Sequence, residues 1–550
     1  MQITPYDFQA ADVRDLLAHD LNGVVVAETG AGKTIIAGEA ARQSGLPVKL
    51  IIAPQGTHER VWRASITGHE DDDPESETYG QWITGLDPEA RVQRISGLEA
   101  GKRAMDDIEW GEPGYYLMTP QLFTRWKPLH LRPDLMIVDE IHQLANRERS
   151  GGKTLMKMAR STGHRIGMSG TMWRNRFENA WVTMRFVYPD RNESGDIADI
   201  APNRWIDNFC ATKYDHFAPG QRVVTGELHP GHLASLVPCW RQHFKRQECC
   251  EFHPEGFLHD LPAPIIIHES VELTANQKRM MTQMQRDYLA YLDLATEEWL
   301  TLPLEERKRK ALVAKIPATR ELRLSQMTLA EPELVPRPFK AKKFDPAKPE
   351  LPNSWIVIQV DGKDFLQAVD DRGIPLWDVV FPPTTESPKL DALVRIFQKV
   401  EEPIVAATNS QKFAELAVNR LNAMKPPIRA AGWWGDISQA DRDATLTAFK
   451  RGEVDIIVGV TSAVGTGIDG LQDASGVLVS LNKDRDLSNE VQLEGRLDRR
   501  GQKRKAGVIH YEIIAEGRSD VGIIDDQLER RLILNRSLRK EINQKRSTHA

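Results

Sequence analysis

Cysteine is scarce, with four in 550 residues. So few cannot build a disulfide framework, and they suit a reducing compartment. Long apolar runs are also missing. None approaches the ~20 residues that a membrane span requires, so no membrane partner is expected. The first residues, MQITPYDFQAADVRDLL, hold no basic stretch followed by an apolar one, so no secretory leader and a cytoplasmic setting are expected. Positive charge is not in excess, at 72 Lys+Arg against 78 Asp+Glu for a net charge of −6. A uniformly basic surface is thereby excluded, and any nucleic-acid contact must use local patches. The 41% hydrophobic and 27% charged content is ordinary for a globular chain with a full core. At a soft prior of ~150 residues per domain, the length allows three or four domains or one large multi-lobed body.

The most informative segment is NGVVVAETGAGKTIIAGEAAR, residues 22 to 42. Gly23 to Val26 is a short β-branched run that reads as a buried strand, and Thr34 to Arg42 reads as a helix. Between them, Thr29, Gly30, Ala31 and Gly32 make a turn whose N–H groups can face an anion at the helix N-terminus. Lys33 is placed for the β and γ phosphates of ATP and Thr34 for magnesium. Ala27 stands where the general phosphate-loop pattern has its first glycine. A plain glycine turn between strand and helix is the bland alternative, and GKT after a clean strand argues against it.

A second strand, Leu135 to Val138, ends on Asp139 and Glu140, where parallel-sheet strands deliver catalytic groups. Asp139 is the expected magnesium ligand, and Glu140 is expected to orient and deprotonate an attacking water. His142 is expected to connect this box to Ser169-Gly170-Thr171. In the C-terminal half, the strand-like VDIIVGV (Val454 to Val460) leads into Thr461 to Gly470. QLEGRLDRRGQ follows, from Gln492 to Gln502. The spacing puts Arg496 and Arg499 on one helical face, from which both guanidiniums could reach a γ-phosphate. A basic helix on a solvated face is the plain alternative for this segment taken alone.

In this order the motifs resemble the superfamily-two helicases, with Gln492, Gly495, Arg496 and Arg499 on the QxxGRxxR pattern. Ala27 opens the phosphate loop as it does in other motors of that superfamily. Within it the chain resembles the Swi/Snf-type translocases of double-stranded DNA, in the compact form of bacterial and phage-encoded members. The resemblance rests on Phe8-Gln9, IIAPQGTHERVW (51 to 62), DEIHQLAN with Asn146, and NRFENAWVTMRFVYP (175 to 189). LPAPIIIHESVELTANQ (261 to 277), LRLSQ (322 to 326), SPKL (387 to 390) and the terminal RRGQ extend it over most of residues 1 to 510. Gly495 and Asp498 depart from it, where the family commonly has aspartate and histidine. The resemblance implies an α/β fold of two RecA-like parallel-sheet lobes hydrolysing ATP between them. It implies adenine reading by Phe8 and Gln9, ribose contact by Asp469 beside Gly467, and coupling through His142, Ser169, Gly170 and Thr171. It also implies DNA-backbone contact by Pro54, Gln55, Thr119, Pro120 and Thr461. The expected partner is DNA, duplex before branched or single-stranded, with RNA less favoured.

The expected division is lobe 1 over 1–175, helical protrusions over 176–262 and 263–330 (the latter with the start of lobe 2), and a connector with a small β insert over 331–386. Lobe 2 follows over 387–515 and a basic helix over 516–550. SWIVIQV-DG-KDFLQAV-DDRG-IPLWDVVF reads as a three-stranded meander, a structural flap before a DNA-touching pin. Methionine, tyrosine and leucine at helical spacing in KRMMTQMQRDYLAYLDLATEEWL read as core-facing. Cys239, His243, Cys249, Cys250 and His253 do not have common zinc spacing and read as ordinary residues. Basic clusters lie at 307–310, 340–343 and 503–505 and in the tail 530–546. The cluster after QLEGRLDRRGQ and the tail are candidate DNA contacts. Two other functions fit part of the pattern. One is a strand-separating DExH helicase on DNA or RNA, and the other is an ATP-gated clamp without productive turnover.

Overall fold

Short β-branched runs become buried strands because both faces of each can be covered, and here two sets of them form two sheets. The computed structural model describes residues 2–71, 78–95, 110–170, 177–189, 201–214, 222–246, 252–282, 324–331, 333–336, 355–360, 363–368, 377–466, 470–484 and 486–515. Lobe 1 contains β1 (Gly23–Ala27), β2 (Val48–Ile52), β3 (Val92–Arg94), β4 (Gly114–Met118), β5 (Leu135–Val138), β6 (His164–Ser169) and β7 (Trp240–His243). They form one seven-stranded parallel sheet in the order β7-β1-β6-β5-β2-β4-β3. Lobe 2 contains β8 (Ile265–Val271), β9 (Ile404–Thr408), β10 (Ala430–Trp433), β11 (Ile456–Val460), β12 (Val477–Ser480) and β13 (Ile509–Ala515). These form a six-stranded parallel sheet in the order β8-β13-β12-β9-β11-β10. The expected two-lobed RecA-like α/β fold is therefore present.

The period-two alternation of a strand decides which helices each residue meets. In lobe 1, Val24, Val26, Leu50, Ile52, Met136 and Val138 point into one core, and Val25, Ala27, Ile51, Leu135 and Ile137 into the other. Lobe 2 repeats the scheme, with Ile404, Ala406, Ile456 and Val458 on one face and Val405, Ala407 and Ile457 on the opposite one. Each fully buried aliphatic side chain contributes about 1.5–3 kcal/mol. Burial on both faces is what fixes the strand ends, and with them the motif loops.

Three sequence expectations change. First, the segment expected as a helical protrusion from residue 176 contains β7, the edge strand of the lobe 1 sheet, so this lobe extends to residue 243 and beyond. WRQH is short and polar, as an edge strand can be, and hydrophobic periodicity does not report it. Residues 210–214 and 222–227 in the same stretch form an antiparallel pair. Second, the three-stranded meander is split. Trp355–Val360 and Lys363–Ala368 pair as the expected hairpin, but Trp377–Val380 pairs with Glu333–Pro336. Third, the helix carrying Arg496 ends at Leu497, so Arg499 lies in the following turn and not on a helical face. Of the Met- and Leu-rich stretch expected as helical, only the residues up to 282 are described; they are helical, with Met281 buried. Residues 283–323 and 516–550, with the basic cluster at 307–310 and the basic tail, lie outside the described residues, as does the cluster at 340–343.

Candidate nucleotide site between the lobes

β1, β6 and β5 are neighbours in the lobe 1 sheet. Topology therefore brings the phosphate loop, Ser169 and the Asp139–Glu140 pair to one sheet edge, although they are far apart in the chain.

The phosphate loop has the backbone its glycines suggest. Gly30 and Gly32 take φ values of 93° and 80°, in the left-handed region that favours glycine. Gly32 precedes the first helical residue of α1 (Lys33–Gln43), so the loop's N–H groups gather at a helix N-terminus. Lys33 Nζ donates to the Ala27 carbonyl at 2.7 Å. Gln9 accepts from Tyr6 N–H at 2.9 Å and donates to Ala31 O at 3.1 Å, which ties the N-terminal segment to the loop. Phe8 is buried against His243 and His253, at ring distances of 4.8 and 4.7 Å.

Asp139 and Glu140 leave β5 together. Burial and the neighbouring Glu140 charge push the Asp139 carboxyl up to about 6. Trp62, fully buried in the stretch that follows β2, donates to Asp139 Oδ2 at 3.3 Å. Burial acts to raise Glu140 too, but Lys33, His142, the Ser169 hydroxyl and Arg496 hold it below the ordinary carboxylate value. Glu140 also adopts φ 49°, a strained conformation for a residue with a Cβ. Ser169 Oγ donates to Glu140 Oε2 at 3.2 Å and lies 2.7 Å from His142 Nδ1. The acidic box and the Ser-Gly-Thr segment thus meet through a direct contact of three side chains. Gly170 lies against the loop, where an added Cβ would stand 3.5 Å from Lys33 Nζ.

Lobe 2 supplies the other wall. α2 (Thr461–Gly465) follows β11, and α3 (Leu487–Leu497) follows β12 and packs on α2. Arg496 donates through Nε and Nη2 to Gly465 O, at 2.9 and 2.6 Å, so its guanidinium is held within lobe 2 while its charge reaches Glu140. Gln492 is buried beside Gly465. A Cβ on Gly495 would overlap Thr29 Oγ1, and one on Gly30 would stand 3.3 Å from Arg499 Cβ. Three successive residues after α3 meet lobe 1: Asp498 meets Lys245 and Arg246, Arg499 meets Gly30, and Arg500 lies over the Tyr6 ring at 4.7 Å. Thr29 and Gly30 of the phosphate loop therefore lie against Gly495 and Arg499 of lobe 2.

A cleft of about 930 Å³ opens between the lobes and is lined by Pro54, Gln55, Pro120 and Arg125 from lobe 1 and by Arg442 and Thr466 from lobe 2. Across it, Arg60 pairs with Asp443 at 2.9 Å. Thr119 lies at its edge, but its hydroxyl accepts from Leu122 N–H at 3.1 Å and caps a helix. Thr461 is buried, and its hydroxyl has no hydrogen-bond partner among the described residues. Gly467, Asp469 and Thr171 lie outside the described residues. Arg504, in the basic cluster after α3, pairs with Glu402, just ahead of β9.

Several residues of the site carry no motif signal. Asp12 is fully buried and accepts from Arg241 Nε at 2.6 Å and from His243. Cys239 faces Asp15. Of the suggested cysteine–histidine cluster, Cys249 and Cys250 lie outside the described residues. No single stretch of sequence could reveal these pairs, because each joins the N-terminal helix to a strand more than 220 positions away.

Residues 388–501 match the family described as the helicase conserved C-terminal domain. The match lies within lobe 2. Among solved structures, the SWI2/SNF2 ATPase core of Sulfolobus solfataricus in complex with double-stranded DNA is similar, with 16% identity and a TM-score of 0.36. That likeness covers 97% of this chain and 92% of the other. No curated protein matches.

Proposed function

We propose that the chain is an ATP-driven motor that moves along duplex DNA and remodels DNA structures or protein–DNA complexes. The observation that supports this reading is the close approach of Gly495 and Arg499, within the stretch that matches a helicase C-terminal domain, to Thr29 and Gly30 of the phosphate loop. Lys33 and the loop N–H groups would hold the β and γ phosphates, with Phe8 and Gln9 beside the base. Glu140, kept ionised by its cationic neighbours, would orient the attacking water and take its proton. Arg496 and Arg499 would neutralise charge developing on the phosphoryl group. The buried Asp139 carboxylate beside that of half-buried Glu140, the first raised by burial and by the charge of the second, suits a divalent cation, and Thr34 with Asp139 would hold it. Magnesium there supplies charge neutralisation at the phosphate oxygens.

Because the two halves of the site sit on separate lobes, hydrolysis is tied to lobe movement. The cleft lined by Pro54, Gln55, Pro120, Arg125 and Arg442 is the proposed track, gripping phosphates without reading bases. The ordered Swi/Snf-like motifs favour a duplex as that track. The test is ATPase rate against duplex DNA, single-stranded DNA and RNA at fixed salt. Duplex-stimulated turnover without unwinding is expected, and stimulation by single strands with strand separation would instead support a DExH helicase. Glu140→Gln should still bind a fluorescent ATP analogue and lose turnover. Unchanged turnover in that variant would remove Glu140 from the role of base.

A further inference from the structure

Asp498 occupies an unusual position. It is buried, yet the charged groups that pair with it belong to the other lobe. Arg246 grips its carboxylate with two prongs, Nη1 to Oδ2 at 2.9 Å and Nη2 to Oδ1 at 2.6 Å. Lys245 Nζ lies 3.2 Å from Oδ2 and also donates to the Asp498 carbonyl.

The same two basic residues hold two further structures. Lys245 N–H donates to Glu28 Oε2, inside the phosphate loop, at 2.5 Å. Arg246 donates to the carbonyls of Leu261 at 3.2 Å and Pro262 at 3.0 Å, in the segment of chain that crosses from lobe 1 to β8. One carboxylate is thereby linked to the phosphate loop through Lys245 and to the crossing segment through Arg246. It also immediately precedes Arg499.

We propose that Asp498 is a positioning residue, clasping the phosphate loop and the interlobe crossing so that Arg499 is set against Gly30 when the lobes are shut. This rests on the ATPase reading above. A buried ion pair adds little net stability but fixes geometry well, because its two-pronged hydrogen bonds tolerate few orientations. Burial acts to raise the Asp498 carboxyl, and Arg246 and Lys245 more than offset it, so the clasp stays charged.

The experiment compares Asp498→Asn, Arg246→Gln and the double variant in the full chain. The readouts are kcat and KM for ATP with duplex DNA, Tm, and FRET between dyes at one exposed position on each lobe with a non-hydrolysable ATP analogue. Each single variant should lower kcat by about 10–100-fold, the scale expected when a catalytic group is misplaced by ~1 Å. Because the clasp joins one lobe to the other and lies in the core of neither, its loss should fall on the closed population, with KM and Tm changing little. The double variant should be no worse than the poorer single, because both changes break one clasp. Asp498→Glu should recover part of the loss. Additive losses, a kcat loss that tracks a fall in Tm, or normal kcat in both single variants would each overturn the proposal. If the unaltered chain shows no turnover but its FRET-reported closure still requires Asp498, the clasp stands and the ATPase reading fails.

Discussion

Gly495→Ala isolates lobe closure from folding. The added Cβ would overlap Thr29 Oγ1 and stand 2.8 Å from Thr29 Cβ, so rotating the hydroxyl cannot relieve it. Overpacking of this kind costs about 1–3 kcal/mol. Because Thr29 is on lobe 1 and Gly495 on lobe 2, the penalty falls on the closed arrangement and not on either core. At about 1.4 kcal/mol per decade, closure should become roughly 5–150-fold less favourable, with a matching fall in kcat where closure limits turnover. Within α3 the same substitution removes a glycine from a helix interior, worth up to about 1 kcal/mol, so Tm should hold or rise. Stopped-flow phosphate release and differential scanning calorimetry measure the two effects. Thr29→Gly should restore closure in the double variant. An ordinary turnover rate in Gly495→Ala, or a fall in Tm that explains the rate, would refute the reasoning.

Other substitutions separate the remaining interactions. Asp12→Asn removes the buried charge between Arg241 and His243. Breaking such a pair costs about 3 kcal/mol when one partner is partly exposed, as Arg241 is at 28%, and for a lobe of about 250 residues Tm should fall by roughly 6 °C in thermal melts. Arg496→Lys cannot reproduce the two-pronged contact with Gly465 O, so kcat should drop by roughly tenfold or more while ATP binding by a fluorescent analogue is kept. Arg442→Ala, at the interlobe cleft, should weaken duplex binding and flatten its dependence on salt in fluorescence-anisotropy titrations, by about one unit of slope if that guanidinium contacts a phosphate.

The residues that act through their neighbours in the chain are legible in the sequence. GKT after a β-branched strand reads as a phosphate loop because strand, turn and helix are local, and Asp139–Glu140 reads as a strand-end pair for the same reason. β7 is not legible: four residues without a hydrophobic period become a strand only because β1 offers an edge. The end of α3 is hidden too, since spacing alone does not show that the helix stops at Leu497, ahead of Arg499.

The sequence by itself determined the short buried strands, the order of the motifs at their ends and the chemistry of the residues there, because hydrophobic periodicity and glycine placement are short-range properties; the gathering of those strands into two parallel-sheet lobes was implied only by the family resemblance. Tertiary structure alone decided that Gly495 meets Thr29, that Asp498 meets Lys245 and Arg246, and that Trp62 meets Asp139. Trp62 and Asp139 stand 77 positions apart, and Lys245 and Asp498 253. Side chains that distant find each other only through the packing of whole sheets.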